Sequence, residues 1–156
     1  GNQDRQSRVE TRFASAVVGQ VVRIRPISWS GYIAMRAGLL VWPIPSPPPQ
    51  VQEQVPSVNP PEASRSYSSV WNNNAVGTGF ARSMLDSAQG WSAAMNNMQQ
   101  WMQIDAGATM LIGGVITQGR RELNQWVTSF TVQVQDASGA WAQVDGGAIF
   151  TGNSDA

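Results

Sequence analysis

Apolar and polar side chains alternate with a period of two along much of the stretch 99–130, and this pattern constrains the fold more than any other feature. Residues 102–106 alternate, residues 110–116 form an apolar run, and alternation resumes at 126–134 after a polar turn that contains glycine. Alternation of this kind is typical of β-strands, because successive side chains of a strand point to opposite faces. The stretch therefore predicts strands on both sides of a turn.

The alternation at the end of this stretch indicates a sheet with one face in water. Phe130, Val132 and Val134 share one face, and the polar residues between them share the other. One apolar face and one polar face are typical of antiparallel sheets. We therefore predict an all-β fold, either a sandwich or a barrel.

The composition excludes several classes of function. The formal charge is zero and 13% of the residues are charged, so the chain lacks the basic surface that nucleic acids attract. Cys and His are both absent, which removes thiol chemistry, His-based catalytic triads and zinc sites. No apolar run is long enough to form a membrane-spanning helix. We expect no catalytic residues, no enzyme activity, no nucleic-acid partner and no transmembrane segment.

Two further strands are predicted near the N-terminus, at residues 21–26 and 32–40, whereas residues 1–12 are polar and indicate a loop. Eight of the nine prolines follow within residues 42–61. Proline fixes φ and removes a hydrogen-bond donor, so this tract predicts an extended polyproline linker.

Several segments resemble the discoidin family, also known as the coagulation factor 5/8 type C domain family. They are QWMQIDAG, GVITQGR and QWVTSFTVQVQ within residues 100–135, ISWSGYIAMRAGLL at residues 27–40, and an L-D-S and G-W element at residues 85–91. The resemblance implies a jelly-roll β-sandwich or barrel in an extracellular or cell-surface protein with an adhesive role.

The order of the pieces departs from the family pattern. Residues 1–41 resemble the C-terminal part of a discoidin domain and residues 57–156 its N-terminal part, with residues 42–56 as the linker. The turn Gly-Asn-x-Asp occurs at residues 1–4 and again at residues 152–155, whereas an ordinary domain of the family has it once. The chain therefore resembles a circularly permuted domain, or tandem repeats cut within the domain.

Two architectures are consistent with this order. In the first, residues 1–41 complete the sandwich of a neighbouring chain, so that copies of the protein add head to tail into a fibre. The side chains buried at that joint would be Val22, Ile24, Ile33, Met35 and Leu39. In the second, the same residues fold back onto residues 57–156 and give a monomeric binding module for a carbohydrate, a lipid or a protein. We expect the first, because a linker that extends by about 3.1 Å per residue reaches farther than a permuted domain needs.

The resemblance also implies a ligand site formed by loops at one end of the barrel. Two loops occupy the corresponding places, one after the segment SYSSV and one after TQG. The candidate residues in these loops are Trp71, Asn72, Asn73, Arg120, Arg121 and Glu122. An aromatic face, a guanidinium and amide groups would suit a glycan. A solvated loop tip or a contact with another subunit would account for the same residues.

Asp86 resembles a position that, together with backbone carbonyls, holds calcium in some carbohydrate-binding relatives. Calcium takes about six to eight oxygen ligands, and one carboxylate is evident at this place. The sequence therefore predicts no cofactor, with calcium at Asp86 as the weaker alternative.

Overall fold

The computed structural model describes residues 7–43 and 56–154, and these residues form an antiparallel β-structure. The strands are β1 (Val9–Ser30), β2 (Ala34–Pro43), β3 (Ser57–Val58), β4 (Arg65–Tyr67), β5 (Trp91–Ser92), β6 (Met102–Gln118), β7 (Trp126–Gln135), β8 (Trp141–Gln143) and β9 (Phe150–Thr151). Short 3-10 turns occupy Glu62–Ser64, Trp71–Asn73 and Val144–Gly146, and the described residues contain no α-helix. The predicted all-β jelly-roll class is confirmed.

The first strand of the chain lies at the centre of the sheet. The strand order is β3-β2-β6-β1-β7-β8, while β4 pairs with β6, β5 with β2 and β9 with β7. Within β1, Val22 pairs with Ile104 of β6 on one side and with Val134 of β7 on the other. The strands β6 and β7 follow each other in the sequence, yet β1 separates them in the sheet.

The two faces of β1 differ as the alternation predicts. Val22 and Ile24 have no exposed surface and face the apolar core. Arg23 lies on the opposite face, where its guanidinium carbon is 4.6 Å from the ring centroid of Trp101 and 4.0 Å from that of Trp141. Stacking of a guanidinium on aromatic rings is favourable even where water reaches it. The outer face of the sheet is therefore ordered by side-chain packing as well.

The N-terminal loop and the linker are both shorter than predicted. The strand β1 begins at Val9, so the prediction of a loop over residues 1–12 is wrong from Val9 onward. The strand β2 continues through Trp42 and Pro43. A side chain at Gly113 would come within 2.2 Å of the Trp42 ring, so this glycine makes room for the indole. Within the tract, Ser57–Val58 forms β3 and pairs with β2, so the polyproline prediction is wrong there as well. Residues 44–55 and the turn at residues 1–4 lie outside the described residues.

The strands of the N-terminal segment complete the sandwich of their own chain. The five side chains predicted to be buried at a joint between chains, Val22, Ile24, Ile33, Met35 and Leu39, are each at most 1% exposed here. The expected open edges of β6 and β7 are both paired with β1 of the same chain. No unpaired edge is thus left at this position to recruit a neighbour. The structure gives no support to the fibre and corresponds to the second architecture, while the permuted order stays a prediction.

We expect the purified 156-residue chain to be a monomer of 16.8 kDa, because β1 and β2 satisfy the sheet of their own chain. Light scattering coupled to size exclusion, repeated over a hundredfold range of protein concentration, measures this directly. A mass that rises with concentration would contradict the single-chain sandwich and restore the polymer.

Ile24→Ala should lower the free energy of unfolding by about 2–5 kcal/mol, because it removes a fully buried side chain from the central strand and leaves a cavity. Glu10→Ala in the same strand is the matched control, since Glu10 is exposed, and it should change stability by less than about 0.5 kcal/mol. Urea denaturation measures both. Equal effects of the two substitutions would show that β1 does not form the centre of the core.

Candidate functional site

A cleft of about 270 Å³ opens between loops that follow different strands. Its lining residues are Tyr32, Trp71, Phe80, Ser92, Arg120 and Gln125. Three of the six side chains are aromatic and three are polar, and only one carries a charge. This composition is typical of small-ligand sites, in which apolar walls surround a few polar groups that fix orientation.

Trp71 forms one wall of the cleft, and the ring of Tyr32 packs against it. Its ring lies edge-on to Tyr32, with ring centroids 5.6 Å apart and an interplanar angle of 83°. The two following residues, Asn72 and Asn73, have φ values of 59° and 50°. Asparagine adopts this left-handed region more readily than most residues, so the sequence suits the tight turn. Trp71 remains 44% exposed although its position is fixed.

Phe80 and Ser92 both line the cleft, and a hydrogen bond joins their backbones. The amide of Ser92 donates to the carbonyl of Phe80 at 3.1 Å. The amide of Phe80 in turn donates to the Asn74 side chain at 3.0 Å, which fixes the long loop after β4. Ser92 is 3% exposed, and its hydroxyl has no hydrogen-bond partner among the described residues. A buried hydroxyl without a partner is uncommon in folded proteins.

Arg120 lies at the start of the loop between β6 and β7, and only some of its hydrogen-bond donors have partners among the described residues. Its Nη1 donates to Gln125 Oε1 at 2.9 Å, and its guanidinium carbon is 4.9 Å from the Phe80 ring centroid. Its Nε is buried and has no partner within the part of the chain that the structure describes. Burial lowers the pKa of Arg120, and the nearby Glu122 carboxylate opposes that shift. The guanidinium therefore stays charged at neutral pH but is incompletely solvated.

The loop that carries Arg120 is anchored by a buried arginine. Arg36, on β2, donates from Nε to the carbonyl of Gly119 and from Nη1 to the carbonyl of Ser87, each at 2.9 Å. Within the loop, the amide of Arg120 donates to the Gln125 carbonyl at 2.9 Å. These bonds fix the peptide group between Gly119 and Arg120, so the backbone that carries the Arg120 side chain is preorganised.

The structure brings together two of the six predicted loop residues, Trp71 and Arg120, in one cleft. The other four, Asn72, Asn73, Arg121 and Glu122, are exposed and do not line it. Glu122 accepts a hydrogen bond from Gln89 at 3.2 Å.

Four lining residues were not predicted: Tyr32, Phe80, Ser92 and Gln125. Tyr32 begins a predicted strand and Phe80 lies in the loop that follows SYSSV, and nothing in the sequence marks either as a cleft residue. Ser92 is distinguished only in the structure, by its burial without a partner among the described residues.

Asp86 is engaged with protein groups. Its carboxylate pairs with Arg8 and accepts a hydrogen bond from Gln118 Nε2 at 3.0 Å. The hydrogen bond from Arg8 is the main reason that the pKa of Asp86 is lowered. The described residues contain no cluster of three or more acidic side chains that could hold a metal. Because calcium is also bound by backbone carbonyls, calcium at Asp86 stays a prediction.

The fold and the cleft together place the chain in the class of antiparallel β-sandwiches with a cleft formed between loops. The family model for the F5/8 type C domain matches residues 62–156, and the chain belongs to this family. The resemblance seen in the sequence is thus confirmed. Lactadherin from Rattus norvegicus is 29% identical over 165 residues, which cover 99% of this chain and 38% of that protein. The chain thus spans well under half of this relative. No solved structure matches the chain.

Within the described ranges, no helix has the length and apolar character needed to cross a membrane.

Calcium should leave the melting temperature unchanged, because the carboxylate of Asp86 is already used by Arg8 and Gln118. Differential scanning calorimetry with millimolar calcium and with chelator measures this. A calcium-dependent rise that disappears in Asp86→Asn would instead establish the metal site.

Proposed function

We propose that this chain is a single-chain, discoidin-type binding module of an extracellular protein and that it binds a glycan in the cleft between Trp71 and Arg120. Family membership and the similarity to a lactadherin support a binding role rather than catalysis. The observation that carries the proposal is the meeting of these two side chains with two unpartnered polar atoms, Ser92 Oγ and Arg120 Nε.

The shape and chemistry of the cleft suit one sugar ring. Its volume of about 270 Å³ is at the small end of ligand sites. Trp71, Tyr32 and Phe80 offer apolar surfaces to the C–H face of a ring, and the polar groups of Arg120 and Ser92 can pair with ring substituents. Because the backbone of these loops is already hydrogen-bonded, a ligand would order few groups on binding, which favours affinity.

A lipid surface is the second candidate, and one observation favours it. Five large apolar side chains are exposed on the loops between β4 and β7: Trp71 at 44%, Val76 at 48%, Met95 at 57%, Met98 at 60% and Leu123 at 45%. Apolar side chains on such loops could insert into the boundary between headgroups and acyl chains. The zero formal charge means that electrostatic attraction to anionic lipids would contribute little. We therefore favour the glycan.

The fibre is not part of this proposal, since the edges that would drive it are paired within the chain. Single chains presenting one cleft each would bind glycans weakly and gain strength only when several modules are linked.

Trp71→Ala and Arg120→Ala should each abolish binding on a glycan array while the far-ultraviolet circular dichroism and the melting transition persist. Trp71→Ala removes the exposed ring wall, and Arg120→Ala removes the only charge in the cleft. Ile149→Ala and Arg121→Ala are the matched controls, because both residues are exposed and lie outside the cleft. Binding that survives both cleft substitutions would place the ligand site elsewhere.

A further inference from the structure

The Arg120 guanidinium uses one of its edges for a hydrogen bond within the protein and has, within the described part of the chain, an unpartnered donor on the other. Nη1 of Arg120 donates a hydrogen bond to Gln125 Oε1 at 2.9 Å. The other edge of the guanidinium, which carries Nε and Nη2, is not used by this bond. On that edge, Nε has no partner among the described residues. The Nε–Nη2 edge presents two parallel N–H groups and matches a planar, two-oxygen acceptor. The Nε–Nη2 edge therefore has the donor geometry that suits a carboxylate.

The nearby Glu122 carboxylate partly offsets the charge of Arg120, but no acidic residue lines the cleft itself. None of the other lining residues, Tyr32, Trp71, Phe80, Ser92 and Gln125, is acidic. Glu122, the acid next in the loop, is exposed and receives a hydrogen bond from Gln89. A neutral ring placed in the cleft would remove water from the guanidinium without supplying a counter-charge, which is unfavourable. A ligand that carries its own negative charge avoids this cost.

The number of available donors decides between carboxylate and phosphate. The cleft offers one guanidinium edge and one hydroxyl, Ser92 Oγ. A carboxylate has two oxygens in one plane and can use the whole edge, whereas a phosphate has three free oxygens and would leave at least one without a donor. The donor set thus fits a carboxylate, with the Ser92 hydroxyl left for a neighbouring substituent of the ring.

This step rests on the proposed function: we propose that the cleft selects a sugar that bears a carboxylate, such as a uronic or sialic acid. The carboxylate pairs with the Nε edge of Arg120, a ring substituent pairs with Ser92 Oγ, and the C–H face of the ring packs on Trp71. Arg120 and Ser92 then provide selectivity, while Trp71 provides affinity for any ring that fits.

The test uses an array in which glucuronate, galacturonate and sialate glycans stand beside their carboxyl-reduced counterparts. The acidic member of at least one pair should bind about tenfold more tightly than its reduced form, the size expected of a charge-assisted pair. Arg120→Lys keeps the charge but removes the two-donor edge, so it should abolish this preference. Arg121→Lys, at the exposed neighbouring position, should retain it.

Ser92→Ala keeps the test decisive if Arg120→Lys disturbs the loop. Because the Ser92 hydroxyl has no partner in the described structure, its removal should not lower the melting temperature. It should nevertheless weaken binding of the acidic glycan severalfold. A fall in stability with unchanged binding would show that the hydroxyl serves the fold and would overturn its assignment to the ligand.

The remaining outcomes separate the two proposals. Equal binding of acidic and reduced glycans, lost in Trp71→Ala, would overturn the carboxylate inference and leave the glycan function standing. Binding to phosphatidylserine vesicles but to no glycan would overturn the inference, because the carboxylate would then belong to a lipid headgroup. Failure to bind any array member or vesicle would overturn both proposals.

Discussion

The pairing of β1 with both β6 and β7 is the interaction on which the rest of the structure depends. Val22 and Ile24 lie at the centre of the sheet and are fully buried. Without β1, two strands adjacent in the sequence would each expose a row of unpaired backbone groups. The alternation of buried and outward residues fixes the register, since a shift by one residue would turn the apolar side chains into water. The N-terminal strand is therefore indispensable to the sandwich.

The same arrangement creates the cleft. The strand β6 ends beside Val9, at the start of β1, and β7 begins beside Ser30, at the end of β1, so the loop that joins β6 to β7 crosses from one end of β1 to the other. Gly31, with φ of 66°, allows this close passage, because a side chain there would lie 2.8 Å from the carbonyl oxygen of Asn124. The crossing places Arg120 beside Tyr32, the residue that follows Gly31. The cleft thus follows from this crossing.

Local pattern predicted the strands well because burial on one face leaves a direct trace in sequence. Val22 and Ile24 alternate with arginines, and the structure buries the first pair only. The site was predicted only in part, since Trp71 and Arg120 came from resemblance to a family. Ser92 could not be predicted, because a serine without a partner looks like any other serine until the sheet encloses it. Whether the N-terminal segment packs on its own chain or on a neighbour depends on strand order, which the alternation of side chains does not reveal.

The arginines show how a structural cation differs from one available to a ligand. Arg65 is 4% exposed, and its donors are used by backbone carbonyls, among them those of Pro60, Ala37 and Ser83. Arg36 is fully buried and holds two more carbonyls. Both charges are thus solvated by oriented dipoles, as burial of a charge demands. Arg120 is held at Nη1 and stacked on Phe80, yet its buried Nε has no partner in the described part of the chain. A cation fixed on one edge and unsatisfied on the other has its orientation set before any anion arrives.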